Sequence, residues 1–229
     1  MCKAFWGTGQ VAETTTPEAH APLRGLELIR ALGFWTLIAE DLRTHNSRLF
    51  SAGFAALFFN RYGTWADRFR FKPLRWPLMV PYALGQFLVQ TVCGVELKRS
   101  VRVGRRLYLA HQHGIVIHQF AEIGDDVIIR HNVTFGIGSA WTWTGPKIGN
   151  RTEFSPGVVV IGDVTIGDDV SVGPNCTVST DVPSGRTLFV PPPRSLPKAP
   201  PAEDAAEPSQ APAPSQTESE SAQNVRKSG

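Results

Sequence analysis

Between Val95 and Val182 apolar residues return every six positions. Ile117, Ile123, Ile129 and Phe135 form one run, and Ile148, Phe154, Val160, Ile166, Val172 and Val178 form a second. A fixed short period with an aliphatic at one phase, often followed by a glycine (Ile123-Gly124, Phe135-Gly136, Ile148-Gly149, Ile166-Gly167, Val172-Gly173), predicts a hexapeptide β-helix in which each coil of three hexapeptides stacks on the next. Four residues after each anchor comes a second small or apolar set: Ala121, Val127, Val133, Thr152, Val158, Val164, Val170, Cys176 and Val182. Two inward positions per rung are what a narrow prism requires. Gly124-Asp125-Asp126 and Gly167-Asp168-Asp169 suit the tight corners, because glycine tolerates positive φ and Asp bonds its own turn backbone. An ordinary β-sandwich is the alternative, but its turns would come about every 8 to 12 residues.

The 229 residues fit one or two domains. Four segments are predicted: a flexible N-terminus (1–21), a helical portion (22–93), the β-helix (94–194), and a disordered tail (195–229) rich in Pro, Ala, Ser and Glu that lacks the apolar residues to offset ordering entropy. In the helical portion Leu26, Ile29, Arg30, Leu32, Gly33, Leu37, Ile38 and Leu42 follow a helical period, with Glu27, Glu40, Asp41 and Arg43 assigned to the wetter face. A second helix is expected over 53–68. No charge occurs between Arg75 and Glu96, which raises a transmembrane span, but Pro77, Pro81, Gln86 and Gln90 favour a helix packed on the β-helix or on a neighbouring subunit.

Cys2, Cys93 and Cys176 show no pairing logic, and no stretch near the N-terminus has signal-peptide character, so a cytoplasmic protein is expected. Residues 41–106 hold twelve Lys or Arg against Asp41, Asp67 and Glu96. Such a field attracts a polyanionic ligand or the inner face of an anionic membrane, unless it is simply a solvated basic face. No aromatic-basic motif accompanies it, so nucleic acid is not expected as a partner.

Four of the six histidines, His111, His113, His118 and His131, fall at the start of the repeats. His111 lies in Leu107-Tyr108-Leu109-Ala110-His111-Gln112-His113-Gly114-Ile115-Val116-Ile117-His118. This run, the rungs that follow, Pro146-Lys147-Ile148-Gly149 and the closing Pro192-Pro193-Arg194 resemble the serine acetyltransferase family of hexapeptide-repeat acyltransferases; the likeness covers roughly 24–194. It implies a left-handed parallel β-helix behind a helical portion, a homotrimer or dimer of trimers, and acetyl-CoA as co-substrate with no metal. His111 matches the family's general base, and Glu96 stands where an Asp normally orients that histidine. A neutral imidazole must take the proton from an alcohol as it attacks the thioester, and a carboxylate on the other ring nitrogen fixes the tautomer. Gly136, Gly138, Ser155, Pro156, Gly173, Pro174 and Arg194 match positions along the cofactor path, with a backbone N–H near Gly136–Gly138 as a candidate oxyanion donor. His113, His118, Trp141 and Trp143 are candidates for holding the acceptor, the tryptophans lying where the sixfold beat breaks between Gly136 and Lys147.

Two departures bear on the acceptor. Serine-specific members carry an Asp before the base and an Arg-His pair before the Pro-Lys-Ile rung; here the positions hold Ala110 and Thr144-Gly145. A zwitterion needs paired charges to leave water. The sequence is more similar to the exopolysaccharide branch of the family, of colanic-acid type, which implies a sugar hydroxyl on a glycan precursor as acceptor, with serine O-acetylation as the alternative. Two rivals complete the field. A β-helix zinc hydratase would use His113 and His118, but finds no third histidine between His45 and His111; a non-catalytic scaffold would not be expected to keep both His111 and an acid at 96.

Overall fold

A computed structural model describes residues 23–69, 71–139, 141 and 143–191. The predicted N-terminal segment 1–21, the tail 195–229 and Arg194 lie outside the described residues. Four helices come first: α1 (Gly25–Leu32), α2 (Phe34–Thr44), α3 (Ala52–Ala66) and α4 (Lys72–Cys93). The single helical period read from Leu26 to Leu42 is two helices, because Gly33 takes φ 86° and ends the first with its N–H on Ile29 O.

Among the described residues fourteen short parallel strands follow in three sheets. The first sheet stacks β1 (Val95–Leu97), β4 (Ile115–Ile117), β7 (Thr134–Gly136), β10 (Val159–Ile161) and β13 (Thr177–Val178). The second stacks β2 (Arg102–Val103), β5 (Glu122–Ile123), β8 (Lys147–Ile148) and β11 (Thr165–Ile166). The third stacks β3 (Tyr108–Leu109), β6 (Ile128–Ile129), β9 (Glu153–Phe154), β12 (Ser171–Val172) and β14 (Thr187–Leu188). Strands β1 to β13 therefore visit the three sheets in rotation, with an isolated Ile166–Val182 bridge in place of a second-sheet strand before β14, which is the predicted β-helix. All ten anchors and all nine residues of the second phase are buried and fill the prism.

The register shows where the repeat is interrupted. Ile117 pairs with Phe135 and Val160 with Val178, each a step of 18 residues, or three hexapeptides. Val95 pairs with Ile115, a step of 20, and Phe135 with Val160, a step of 25. The seven extra residues are the expected break between Gly136 and Lys147. The two extra residues, between β3 and β4, were not foreseen; they form the corner that carries His111 and His113.

The helices close the open end of the prism. A first coil leaves backbone groups unpaired on its outer side, a template for aggregation unless covered. Here Asn60 Nδ2 donates to Lys98 O (2.8 Å), Thr64 Oγ1 to Arg99 O (2.9 Å), and Arg61 to Val103 O (2.8 Å) and Gly104 O (2.5 Å), while Leu109 N–H donates to His45 Nε2 (3.3 Å). Asp41, assigned to the wet face from its sequence position, is fully buried instead, accepting from Arg61 Nε at 3.0 Å. The reason is the partner: a buried guanidinium needs a counter-charge, and the helical pattern could not reveal one. The basic field is likewise largely compensated: Arg75 and Arg99 pair with Asp67, Lys98 with Glu96, and Arg105 and Arg106 with Glu40.

α3 reaches the coil closely because of Gly53. A Cβ there would stand 2.6 Å from Leu109 O and 2.7 Å from His45 Nε2. Gly53→Ala is therefore expected to destabilise the protein by about 1–3 kcal/mol through a forced backbone shift, read as a lower urea midpoint.

α4 packs on α3 and β1 through Tyr82, Gly85 and Val89. Its opposite side leaves Trp76, Val80, Leu84 and Phe87 exposed. Among the described residues no helix is long and apolar enough to cross a membrane.

Candidate active site

Stacked corners give the prism three edges, and the candidate residues divide between two of them. Where the third sheet turns into the first, successive coils present His111 and His113, then His131, then Ser155 and Pro156, then Gly173 and Pro174. Where the first sheet turns into the second lie His118 and Phe120, then Gly136, Gly138, Trp141 and Trp143.

On the first edge the two-residue insertion bends the chain sharply. His111 (φ 58°), His113 (φ 92°) and Gly114 (φ 70°) all take left-handed backbone, a concentration uncommon for non-glycine residues and often found at functional sites. The corner is pinned from below by Asn132 N–H donating to His113 O at 3.0 Å. His111 is exposed, and its ring meets that of His131 edge-on, centroids 6.1 Å apart. His131 Nδ1 is buried and has no partner among the described residues. His113 packs instead against Gly94, the left-handed residue that ends α4.

A cavity of 560 Å³ opens beside His111, between the β3–β4 corner and the α2–α3 loop, lined by His45, Asn46, Arg48, Leu49, Phe50, Ser51, Tyr108, Leu109, His111 and Gln112. Its floor is set by His45, whose Nδ1 lies 2.9 Å from Asp41 O while Nε2 accepts from Leu109 N–H. That pattern assigns the neutral Nδ1–H tautomer. Burial pushes the His45 pKa down, with Asp41 opposing, which favours the uncharged ring.

Glu96 lies on β1, opposite Val116 of β4, and faces outward. Its carboxylate is held by Lys98 Nζ at 2.9 Å rather than by His111. On the second edge the His118 ring meets Phe120 at a tilt (centroids 5.2 Å apart) and Phe120 meets Trp143 likewise (5.9 Å), beside a cavity of 240 Å³ reaching Thr144, Gly145 and Lys147. Trp141 and Trp143 are 89% and 79% exposed, free to meet a ligand or a second chain. Gly136 O accepts from Gly162 N–H at 3.1 Å, tying the start of this loop to the next coil. His113 and His118 thus belong to different edges, and the described residues contain no group of three His, Cys, Asp or Glu placed to hold a metal ion.

His111 is legible in the sequence, but the companions that the fold gives it are not. His131 lies twenty residues on, one coil below; His45, Arg48 and Tyr108 come from the helical portion and the first coil. The one available signal was the polar turn His45-Asn46-Ser47-Arg48 between two helical patterns.

Residues 145–180 match the family model described as bacterial transferase hexapeptide (six repeats). The chain is 41% identical over 106 residues to a serine acetyltransferase of Helicobacter pylori, covering 46% of this chain and 61% of that protein. It is 36% identical over 107 residues to WcaB of Escherichia coli, named as a colanic acid biosynthesis acetyltransferase, covering 47% and 64%. The chain thus spans less than two thirds of the length of either relative. Among solved structures, the serine acetyltransferase of Neisseria gonorrhoeae in complex with serine superposes with a TM-score of 0.58 at 26% identity, over 71% of this chain and 70% of that one. The repeat region is therefore similar to the bacterial transferase hexapeptide repeats. The fold is like that of the solved serine acetyltransferases, and the sequence is similar both to serine acetyltransferases and to WcaB.

Proposed function

We propose that the protein is an acetyl-CoA-dependent O-acetyltransferase in which His111 is the general base. The observation that carries this reading is the His111 corner: an exposed imidazole held beside an open cavity, on the same edge as Ser155, Pro156, Gly173 and Pro174. The imidazole removes the hydroxyl proton as the oxygen attacks the acetyl carbonyl carbon. The carbon–sulfur bond breaks, and the imidazolium returns the proton to the CoA sulfur. Glu96, on leaving Lys98, is the carboxylate assigned to fix the His111 tautomer. Gly136 and Gly138 remain candidates for the cofactor path, and Trp141, Trp143, His113 and His118 for the acceptor.

The acceptor has two readings, each with its own support. L-serine is favoured by the names of the relatives, including the neighbour in complex with serine. A sugar hydroxyl is favoured by WcaB, and by Ala110 and Thr144-Gly145 where serine-specific members carry charge. The test is release of CoA thiol from acetyl-CoA with L-serine, homoserine, UDP-sugars and glycan oligosaccharides, beside a His111 variant. A clear preference for L-serine would remove the sugar reading; thiol release indifferent to the His111 variant would remove the base.

The proposal includes a homotrimer acting in the cytoplasm, since two edges that stay apart within one chain can face each other across a cleft between copies. It also includes a peripheral contact with anionic membrane through α4, where the exposed apolar arc begins at Lys72, a cation without an ion pair among the described residues. Sedimentation with anionic liposomes at low salt, and less of it in Trp76→Ser/Leu84→Ser, is the expected result. A protein that stays in the supernatant overturns the membrane contact.

A further inference from the structure

The wall of the cavity facing His111 is a loop that the repeats do not encode. In it Asn46 and Ser47 both take left-handed backbone, φ 56° and 57°. Strain of this kind persists only where the surroundings enforce it. Here Ser47 N–H donates to Leu42 O (2.9 Å), Arg48 N–H to His45 O (3.2 Å), and Ser51 N–H to Arg48 O (3.1 Å), so the backbone of Arg48 is fixed on both sides. Arg48 lines the cavity, and its guanidinium forms no ion pair among the described residues.

The acids nearby are already committed. Glu40 holds Arg105 and Arg106, Asp41 holds Arg61, and no residue lining the cavity is an Asp or Glu. The cavity thus carries one fixed charge, and it is positive. Its other polar groups are neutral, among them Asn46, Tyr108 and Gln112, and the mouth is apolar, with Phe50 entirely exposed.

We propose that this cavity takes a sugar unit bearing an anionic group, a carboxylate or a phosphate, and that Arg48 is the residue that holds the anion. The proposal rests on the acetyl-transfer reading of the His111 site and names its acceptor class. A guanidinium pairs with either anion through two parallel N–H donors. Neutral amide and phenol groups suit ring hydroxyls, and an exposed aromatic ring suits the apolar face of a sugar. An amino acid would find Arg48 with its carboxylate, but its ammonium would enter a cavity without a counter-charge.

The test is equilibrium binding of glucuronate, glucose 1-phosphate, glucose, L-serine and CoA to the full-length protein and to Arg48→Gln, with thiol release from acetyl-CoA followed in the same samples. At least one of the two anions is expected to bind about tenfold or more tightly than glucose, and the tighter of them identifies the anionic group. Arg48→Gln is expected to abolish that preference without changing the affinity for CoA. Equal binding of glucose and both anions, a preference that survives Arg48→Gln, tighter binding of L-serine, or a matching loss of CoA affinity in the variant would each overturn the assignment. Anion binding through Arg48 without thiol release would support the cavity assignment and defeat the acetyl-transfer reading. Thiol release with neutral or zwitterionic acceptors alone would do the reverse.

Discussion

Replacing His111 with Asn is expected to lower acetyl transfer by about 10²–10⁴-fold, the range over which a positioned general base acts. Asn is the informative substitution because His111 sits at φ 58°, a conformation that Asn adopts readily, whereas Ala there would add about 1 kcal/mol of strain and blur the result. The unfolding midpoint should therefore hold while kcat falls, measured as CoA thiol appearing with whichever acceptor the panel identifies. Glu96→Gln should lower kcat less and leave the acceptor KM unchanged, since the carboxylate acts through the imidazole and not on the acceptor. A Glu96→Gln enzyme with wild-type kcat would show that the Glu96–Lys98 pair is only structural. Full activity in His111→Asn would falsify the proposed base, and would turn attention to His131, whose ring lies edge-on to His111.

Arg61→Met should be the most damaging substitution outside the prism, costing about 3–5 kcal/mol by stranding a buried carboxylate. Arg61 is 1% exposed and Asp41 0%; besides Asp41, the guanidinium serves two carbonyls of the first coil. Burial already raises the Asp41 pKa, with Arg61 its main opponent, so removal of Arg61 takes away the chief influence that favours the carboxylate. Urea unfolding should show the midpoint fall sharply, and Asp41→Leu/Arg61→Met should recover much of the loss, because replacing both charges with apolar groups removes the stranded one. Arg61→Lys should fail nearly as badly as Met: an ammonium keeps the charge but cannot address a carboxylate and two carbonyls in one plane. If Arg61→Met unfolds with a wild-type midpoint, the polar cap does not hold the helices to the first coil.

The prism was legible before any coordinate because its information is local and repeated. Each anchor from Ile117 to Val178 has the same environment as the one before it, so one period specifies every rung. Interruptions are legible for the same reason when they are long, as between Gly136 and Lys147. The two-residue insertion after β3 was not, since it falls at the start of the repeats where there is no established beat to break. The helical portion failed differently. Asp41 follows the polar phase of α2, yet five of the six buried polar side chains among the described residues, Asp41, His45, Asn60, Arg61 and Thr64, gather at the junction with the first coil. Amphipathic pattern reports which side of a helix is polar, but not whether that side meets water or the unpaired backbone of a sheet edge.

From the sequence alone came the β-helix, the position of His111 within it and the resemblance to acetyltransferases, because hydrophobic period and short motifs act over a few residues. Only the tertiary structure decided what surrounds that histidine. The cavity joins 45–51 to 108–112, segments about sixty residues apart that meet because α3 docks closely on the first coil through Gly53 and its polar cap. Charge in the cavity beside His111 is likewise a property of the fold. A chain with twelve cations and three acids over 41–106 folds so that most of those cations find a carboxylate, and Arg48, on its pinned loop, has none among the described residues.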